Sequence, residues 1–450
     1  MKNEICEKGL LSCILQECLS NGTHKAIPML VPNDFTTTRP VFEAILKFYN
    51  ENKEIDVVSV GMQCGNYDLV NEIFNMEASS QSWKRRFDEV KMYAEKRRII
   101  KCATNLHKLD VEQCKSIDDL KGKAQDIIDE NLNSKQYEPI SYTNSYMDKF
   151  FEDIKLNGDR KLISTGFLQL NSKLSSGLTD CGLHPGLIII GGISSLGKTA
   201  FTLQISDYIS KRGTDVLFFS LEMSKLELIS RSISRHLFSI DRQKYKNFGT
   251  LVVSRGKFQP ETIPDLKRAV QEYEKTAQHL RIIEGNFTTS IDDIRQTVKQ
   301  HITHTGNKPV VFIDYLQIVK GRGAGNDKQE IDFVSSELKR ISRDFDISVI
   351  AISSLNRMSY GTTISFESFK ESGSIEYCAD VVMGLELSIV RELEQSDRKK
   401  ENRDVVNRAK SDNPRKVTCT ILKQRNGISY TQQDFEFYPV NNYFREVGSK

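Results

Sequence analysis

The chain has 450 residues, of which 38% are hydrophobic and 27% charged, a composition that supports two or three folded domains and excludes global disorder. Its net charge is +3, so any affinity for nucleic acid must come from local clusters of Lys and Arg. The sequence contains no apolar run of about 18 residues, and its charged N-terminus lacks the apolar core of a secretory signal. We therefore expect no membrane span and a cytoplasmic location.

The cysteines and histidines form no pattern typical of a zinc site. The nine cysteines include no C-x-x-C pair, which also argues against a disulfide framework. His301 and His304 are spaced to lie on one face of a helix, but no nearby Cys or His completes a set of four ligands. A solvated helix end is the favoured interpretation of this pair.

Three regions with different patterns follow one another along the chain. Residues 1–132 carry apolar side chains at helical spacing, such as Leu10 and Ile14, and predict an all-α N-terminal domain. Residues 133–164 predict a linker whose amphipathic helix contains Phe150 and Phe151. This helix is too short for a core of its own, so we expect it to dock on its own chain or on a neighbouring copy. Residues 165–450 predict an α/β domain.

The third region alternates apolar strands with helices. The predicted strands are 187–190, 216–219, 281–284, 310–314, 348–352, 379–383, 417–422 and 435–437. Apolar strands that are separated by helices predict a mostly parallel sheet that is covered on both faces. A helix is predicted to begin at Ser290, with Asp293 completing a capping box. The nearly all charged or polar stretch from about 390 to 415 predicts a flexible surface insertion.

The sequence GGISSLGKT at 191–199 matches G-x-x-x-x-G-K-[ST] between a predicted strand and a predicted helix. There the glycines let backbone N–H groups approach phosphate oxygens, Lys198 neutralises the β- and γ-phosphates, and the Thr199 hydroxyl ligates Mg²⁺. A chance match in a loop is the alternative, which the flanking strand and helix disfavour. The predicted nucleotide-binding residues of this loop are Gly192, Ser194, Ser195, Gly197, Lys198, Thr199 and Ala200.

Two carboxylates follow apolar strands of the same region. Asp314 ends its strand at the position where a carboxylate orients Mg²⁺ in hydrolases with such a loop. Glu222 follows the strand 216–219, which we expect to lie beside the strand of the phosphate loop, so that Glu222 polarises the attacking water. The alternatives are a simple turn residue for Asp314 and an acid that caps the next helix for Glu222.

Six local sequences occur in an order that resembles the DnaB-type replicative helicase family. They are TGF at 165–167, FSLEMS at 219–224, IDYLQ at 313–317, SLNR at 354–357, ESGSIE at 371–376 and KQRNG at 423–427. The resemblance covers about 165–445 strongly and the helical N-terminal region more loosely. It implies a RecA-like P-loop NTPase domain behind a helical collar domain and a linker helix. The implied assembly is a ring of six copies that hydrolyses ATP or another NTP with Mg²⁺, moves 5′ to 3′ on single-stranded DNA and unwinds duplex.

The resemblance also implies roles for residues outside the phosphate loop. Lys423 and Arg425 match a basic pair that reaches the neighbouring copy's nucleotide, and an exposed basic turn is the alternative. Lys370, Glu371 and Gly373 match a loop that follows single-stranded DNA, and a polar surface loop is the alternative.

Ser354 departs from the family pattern, because it stands where the family usually has a Gln that senses the γ-phosphate. The resemblance further implies primase and a helicase loader as partners, in a bacterial cell or in the host of a virus or plasmid. Two other functions are compatible with the sequence. One is a RecA-like ATPase that binds DNA without unwinding it. The other is a ring that recruits partners through its N-terminal domain and hydrolyses slowly because of Ser354.

Overall fold

The structure, a computed structural model, divides the chain into two compact units, Met1–Asp159 and Arg160–Lys450. The described residues are 2–16, 23–51, 53–76, 83–114, 117–132, 143, 147–158, 162–175, 182–286, 288–321, 327–356, 362–369, 372–394 and 402–448. Much of the predicted linker, at 133–142, 144–146 and 159–161, therefore lies outside them. No helix among the described residues is both long and apolar enough to cross a membrane.

The first unit is helical, as predicted. Its helices are α1 (Lys2–Gln16), α2 (Arg39–Asn50), α3 (Val57–Cys64), α4 (Tyr67–Phe74), α5 (Trp83–His107), α6 (Ile117–Asn131) and α7 (Met147–Gly158). Short-range signals set their ends. Asp56 begins α3 by accepting hydrogen bonds from the N–H groups of Val58 and Ser59, and Gly65 ends it at a φ of 68°.

Buried carboxylates tie the start of this unit to α5. Glu7 is fully buried, accepts a 2.7 Å hydrogen bond from the Thr38 hydroxyl and contacts Arg97 of α5 at 3.6 Å. Asp34 is also fully buried, and its two carboxylate oxygens contact Lys91 at 2.7 Å and Arg98 at 2.9 Å. A buried carboxylate needs such partners because it has lost its hydration, so these contacts fix where α5 packs.

Helix α7 keeps an apolar face in contact with solvent. Phe151 is 75% exposed and Ile154 50% exposed, and the rings of Phe150 and Phe151 contact edge to face with centroids 5.7 Å apart. Within the described residues, the first unit therefore leaves most of this face uncovered.

The second unit is built on one sheet with the strand order β3-β2-β4-β5-β1-β6-β7-β8-β9. The strands are β1 (Gly186–Gly192), β2 (Val216–Ser220), β3 (Leu280–Glu284), β4 (Val310–Asp314), β5 (Ser348–Ser354), β6 (Val381–Leu387), β7 (Arg415–Gln424), β8 (Thr431–Tyr438) and β9 (Tyr443–Glu446). Neighbours from β3 to β6 are parallel, and β7 to β9 extend the sheet with antiparallel pairs. The predicted mostly parallel sheet is confirmed.

One expectation about strand neighbours was wrong. The strand 216–219 was expected beside the strand of the phosphate loop, but β2 pairs with β3 and β4, and both β4 and β5 separate it from β1. The strands β1, β2, β4 and β5 are all mainly apolar and buried, so composition does not distinguish which of them lie side by side. Glu222 therefore follows a strand that ends beside Asp314 rather than beside the phosphate loop, since Ser220 pairs with Asp314.

Helices cover both faces of the sheet. They are α8 (Leu168–Leu174), α9 (Lys198–Lys211), α10 (Lys225–Ile240), α11 (Thr250–Ser254), α12 (Ile263–Ala277), α13 (Ile291–Thr305), α14 (Asp327–Phe345), α15 (Ser372–Cys378), α16 (Ser388–Glu394) and α17 (Asn402–Ser411). The capping box of Ser290 and Asp293 begins α13, as predicted. The stretch predicted as a flexible insertion instead contains α16 and α17, because Val390 and Val406 give these charged helices an apolar contact with the core.

The sheet has two edges that matter for the site. The carboxyl edge is the line where the parallel strands end, at Gly192, Ser220, Asp314 and Ser354, and the amino edge is the line where they begin. Because β7 is antiparallel to β6, its start at Arg415 lies at the carboxyl edge and its end at Gln424 pairs with Val381 at the amino edge.

Candidate active site

The phosphate loop connects β1 to α9 at the carboxyl edge. Gly197 precedes the first residue of α9 with a φ of 83°, and a Cβ at this position would lie 2.5 Å from the ring of Phe437. Ser195 has a φ of 67°, an uncommon conformation for a residue with a side chain. Alternating conformations of this kind turn successive N–H groups toward one point, which is the geometry of an anion-binding concavity. The predicted strand, loop and helix are all present.

Lys198 is held against its own loop. Its Nζ donates to the carbonyl oxygens of Gly192 at 2.7 Å and Ile193 at 3.3 Å. Burial lowers the pKa of the Lys198 ammonium, and the nearby carboxylates of Asp314 and Glu222 oppose that change. The ammonium therefore lies between the phosphate loop and two acidic groups.

Thr199 and Asp314 come together as the predicted metal ligands. The Thr199 hydroxyl lies close enough to the Asp314 carboxylate to act on its pKa, and this carboxylate is only 3% exposed. Burial raises the pKa of Asp314 to about 6, while Thr199 and Lys198 act in the opposite direction. A hydroxyl and a carboxylate are hard oxygen ligands of the kind that Mg²⁺ takes from a protein when phosphates and water supply the rest, so the two residues fit this ion.

Glu222 lies two residues beyond the end of β2 and is exposed. Its charge acts on Asp314 and on Lys198, which indicates that it faces the same space. The residue that caps α10 is Ser224, whose hydroxyl accepts from the N–H of Glu227 at 3.3 Å while the Glu227 carboxylate accepts from the Ser224 N–H at 3.0 Å. The capping role that was the alternative for Glu222 is thus occupied by other residues.

Lys423 and Arg425 lie away from this cluster in their own chain. Lys423 pairs with Val382 on β6, and Val382 pairs in turn with Ile189 on β1. Ile189 precedes Gly192 by three residues, so at roughly 3.3 Å per residue Lys423 lies about 10 Å from the level of Gly192 along the strand direction. Its Nζ donates to the carbonyl oxygen of Glu376. Arg425 lies farther along, at the amino edge. The structure therefore does not bring this predicted pair to the phosphate loop of the same chain.

The side chain of Arg425 is 51% exposed and contacts Asp380 at 3.2 Å. The same carboxylate binds Lys339 at 2.6 Å and accepts from the N–H of Leu187, so Asp380 anchors the start of β1 as well. Arg425 is consequently oriented by its own chain while half of its surface remains available for another.

The predicted DNA loop is only partly described. Lys370 and Glu371 lie outside the described residues. Gly373 is exposed near the start of α15, and a Cβ there would meet no atom within 4 Å in the described part of the chain. Phe369, just before the predicted DNA loop, is buried, and its ring occupies the space that a Cβ on Gly191 would need. The base of the predicted DNA loop therefore contacts the beginning of the phosphate loop.

Comparison with known proteins identifies the family. Residues 163–446 match the family described as DnaB-like helicase C terminal domain, and residues 2–95 match the DnaB-like helicase N terminal domain. The chain belongs to the DnaB-like helicase family.

Its relatives within this DnaB-like family are replicative helicases. The chain is 25% identical to the replicative DNA helicase DnaC of Bacillus subtilis (strain 168), over 94% of this chain and 92% of that protein. It is 26% identical to the replicative DNA helicase DnaB of Geobacillus stearothermophilus, over 91% and 87%. A probable replicative DNA helicase of Trieres chinensis is 29% identical, over 85% and 84%. The predicted family and the predicted ATP-dependent DNA helicase function are confirmed.

Solved structures support the DnaB-like fold. A structure described as a DnaB-like replicative helicase and its interactions with primase covers 98% of this chain and 99% of its own, with a TM-score of 0.58 and 23% identity. The ATPase domain of G40P covers 68% of this chain and 99% of its own, with a TM-score of 0.53 and 24% identity. At these identities the likeness concerns the fold alone.

Ser354, which replaces the usual glutamine of the DnaB-like family, ends β5 directly beside Gly192. Its N–H donates to Oε1 of Gln317 at 3.2 Å, and Nε2 of Gln317 donates to the Ser353 hydroxyl at 2.9 Å. An amide side chain therefore does reach the tip of β5, but it comes from the segment after β4. Gln317 was not among the site residues predicted from the sequence.

Arg231 is a second residue near the site that the sequence did not predict. It lies on α10, half-buried, and donates to Oδ1 of Asn442 at 2.9 Å. Burial lowers the pKa of its guanidinium, and the carboxylates of Asp314, Glu227 and Glu222 oppose that shift. Arg231 thus adds a cation to the acidic side of the site. The sequence offers one indication of this position: Arg231 lies in the second turn of α10, which begins just after Glu222 at the carboxyl edge.

Proposed function

We propose that this helicase works as a ring of six identical chains that hydrolyses ATP between neighbouring chains. The observation that carries the proposal is the separation of the basic pair Lys423 and Arg425 from the phosphate loop across the sheet of one chain. Phosphoryl transfer needs a cation on the charge that develops at the γ-phosphate. A neighbouring chain that presents its amino edge to this carboxyl edge would supply that cation.

Within one chain, four residues share the chemistry. Lys198 and the N–H groups of the phosphate loop bind the phosphates, and Thr199 and Asp314 would hold Mg²⁺. When bound, Mg²⁺ would neutralise negative charge on the phosphates. Glu222 orients the attacking water and accepts its proton, a role supported by its exposed position and by the fact that Ser224 and Glu227 already form the cap of α10.

Arg425 then acts as a finger in the neighbour's site, with Lys423 beside it. A guanidinium is suited to this role because it is always charged and offers several donors to phosphate oxygens. Its contact with Asp380 supports the role, since an anchored guanidinium loses less freedom when it meets the neighbour's nucleotide.

We further propose that Lys370, Glu371 and Gly373 follow single-stranded DNA and that movement along it is 5′ to 3′. The position of Phe369 against Gly191 supports a link between this loop and the phosphate loop, because a shift at one would move the other. The proposed partners are primase and a helicase loader, and the proposed location is the cytoplasm of a bacterial or host cell. The solved structure of a DnaB-like replicative helicase and its interactions with primase supports the first partner.

Mixed assemblies test the shared site. Arg425→Ala alone and Lys198→Ala alone should each lose turnover, by on the order of a thousandfold for the finger. After subunit exchange between these two variants, about a quarter of the interfaces combine an intact Lys198 with an intact Arg425, so turnover should partly return. The matched control mixes Arg425→Ala with the Arg425→Ala/Lys198→Ala double variant, which offers no intact combination.

Recovery in the first mixture and none in the control supports a site shared between chains. If the first mixture also stays inactive although mass spectrometry shows exchanged subunits, Arg425 does not act on a neighbour.

A further inference from the structure

A residue outside the sequence motifs contacts the phosphate loop from β7. The Nη1 of Arg415, the first residue of β7, donates to the carbonyl oxygen of Ser195 at 2.6 Å. Ser195 is the loop residue with a φ of 67°, a region in which a side chain is disfavoured. A charged donor therefore contacts the carbonyl of a loop residue whose backbone conformation is disfavoured.

Phe437, which pairs with Arg415, contacts Gly197, the second residue of the loop with a positive φ. Phe437 on β8 lies directly opposite Arg415 in the antiparallel pair, so both side chains point to the same face of the sheet. The ring of Phe437 is buried, stacks on Phe444 with centroids 4.3 Å apart, and lies against Gly197, which has a φ of 83°. One cross-strand pair thus contacts both of the left-handed residues that shape the loop.

Arg415 is half-buried, whereas the Ser195 carbonyl that it contacts belongs to an exposed residue. The Nε of Arg415 is buried and has no hydrogen-bond partner among the described residues. Burial also lowers the pKa of the guanidinium, with Asp412 opposing the shift. The contact with Ser195 is a charge-assisted hydrogen bond, a class about twice as strong as a hydrogen bond between neutral groups.

We propose that Arg415 and Phe437 are positioning residues that hold the phosphate loop in the conformation that binds nucleotide. The antiparallel half of the sheet would then set nucleotide affinity without touching the reacting atoms. This inference rests on the proposed function of the phosphate loop, and it concerns residues that contact the loop rather than the nucleotide.

Nucleotide affinity is the measurement that separates this role from catalysis. In the full-length protein, Arg415→Ala should weaken binding of a fluorescent ATP analogue with Mg²⁺ by about tenfold, roughly the contribution of one charge-assisted hydrogen bond. It should raise KM by a similar factor while kcat at saturation stays within about twofold, because the chemical groups are unchanged. Arg408→Ala, which removes an exposed arginine of α17, is the matched control and should bind as the wild type does.

A double-variant cycle tests whether the effect acts through Ser195. Glycine adopts positive φ freely, so Arg415→Ala in a Ser195→Gly background should weaken binding by less than about threefold. In a Ser195→Ala background, which keeps the disfavoured φ and loses only the hydroxyl, the loss should remain about tenfold.

Equal affinity of Arg415→Ala and Arg408→Ala, with unchanged melting temperatures, would overturn the proposal. An equal loss in the Ser195→Gly and Ser195→Ala backgrounds would also overturn it. Should Arg415→Ala lower the melting temperature, Arg415→Lys is compared in its place. Its shorter reach and single donor group should give an intermediate affinity, and wild-type affinity in that variant would contradict the role. Failure of the wild type itself to bind the analogue, by contrast, would reject the proposed function of the loop.

Discussion

The two edges of the sheet present their charges in opposite ways. At the carboxyl edge, burial moves the pKa of Lys198 down and that of Asp314 up, so both groups depend on each other and on their ligands to stay charged. At the amino edge, Arg425 is half exposed and shares Asp380 with Lys339. Exposed ion pairs contribute little to the stability of their own chain. The carboxyl edge is therefore suited to bind a ligand within its own chain, whereas the amino edge can contact the surface of another chain.

The largest effect should come from the carboxyl edge. Lys198→Ala removes the cation nearest the phosphates and should lower kcat/KM for ATP by about a thousandfold or more, with an unchanged melting temperature. Lys308→Ala, which removes an exposed lysine just before β4 at the amino edge, is the control and should leave nucleotide affinity unaltered. Retention of more than about a tenth of wild-type turnover by Lys198→Ala would remove the loop from the active site.

Glu222→Gln should separate binding from chemistry at the same edge. The amide keeps the shape of the side chain but cannot accept a proton, so kcat should fall by about a hundredfold to ten-thousandfold while nucleotide affinity stays within about threefold. Glu227→Gln weakens the cap of α10 and serves as the control, with near-normal kcat expected. Normal hydrolysis by Glu222→Gln would mean that another group handles the water.

The raised pKa of Asp314 predicts a pH effect that is confined to the carboxyl edge. Its carboxyl has a pKa of about 6, so the ionised fraction falls as the pH drops through that value, and only the ionised form ligates Mg²⁺. Mg²⁺-dependent nucleotide affinity should therefore decline by about tenfold between pH 7 and pH 5. Binding measured in EDTA should change much less. Titrations that give the same Mg²⁺ dependence at both values would contradict the role of Asp314 as a ligand.

The smallest effect concerns a surface that belongs to neither edge. The apolar face of α7 is exposed at Phe151 and Ile154, and covering it against another copy would remove that area from water. Replacing Phe150 and Phe151 with Ser should shift the mass measured by light scattering toward single chains, by up to about sixfold if the ring dissociates completely. Thermal unfolding of the α/β unit should stay the same. An unchanged mass would indicate that α7 docks within its own chain.

Features that are local in sequence were the predictable ones. The phosphate loop, Asp314 and the cap at Ser290 each depend on residues within one turn or one strand end, so spacing and residue type suffice. The positions that Lys198, Thr199 and Asp314 take relative to one another follow from the ends of parallel strands meeting at one edge. Their individual roles stay predictions until variants are measured.

Features that depend on strand neighbours and register were not predictable. The placement of β2 was wrong because buried apolar strands look alike, and nothing in the sequence of Val216–Ser220 selects β4 over β1. Arg415 and Phe437 are 22 residues apart, and only the pairing of β7 with β8 brings them together. Gln317 reaches Ser353 and Ser354 through a similar long-range contact. In the charged stretch before β7, two buried valines were too few to reveal helices by periodicity.

The hydrogen bonds of Lys198 within its own loop have a consequence for the entropy of binding. A free lysine side chain loses about 1.5–2 kcal/mol of rotamer entropy when it becomes ordered. Contacts with the Gly192 and Ile193 carbonyls restrict this side chain as the protein folds, and one of its three N–H donors remains for a phosphate. The side chain has therefore lost its rotamer entropy before nucleotide binds, so binding does not reduce it further. This difference corresponds to about a tenfold to thirtyfold higher affinity than an unrestrained lysine would give.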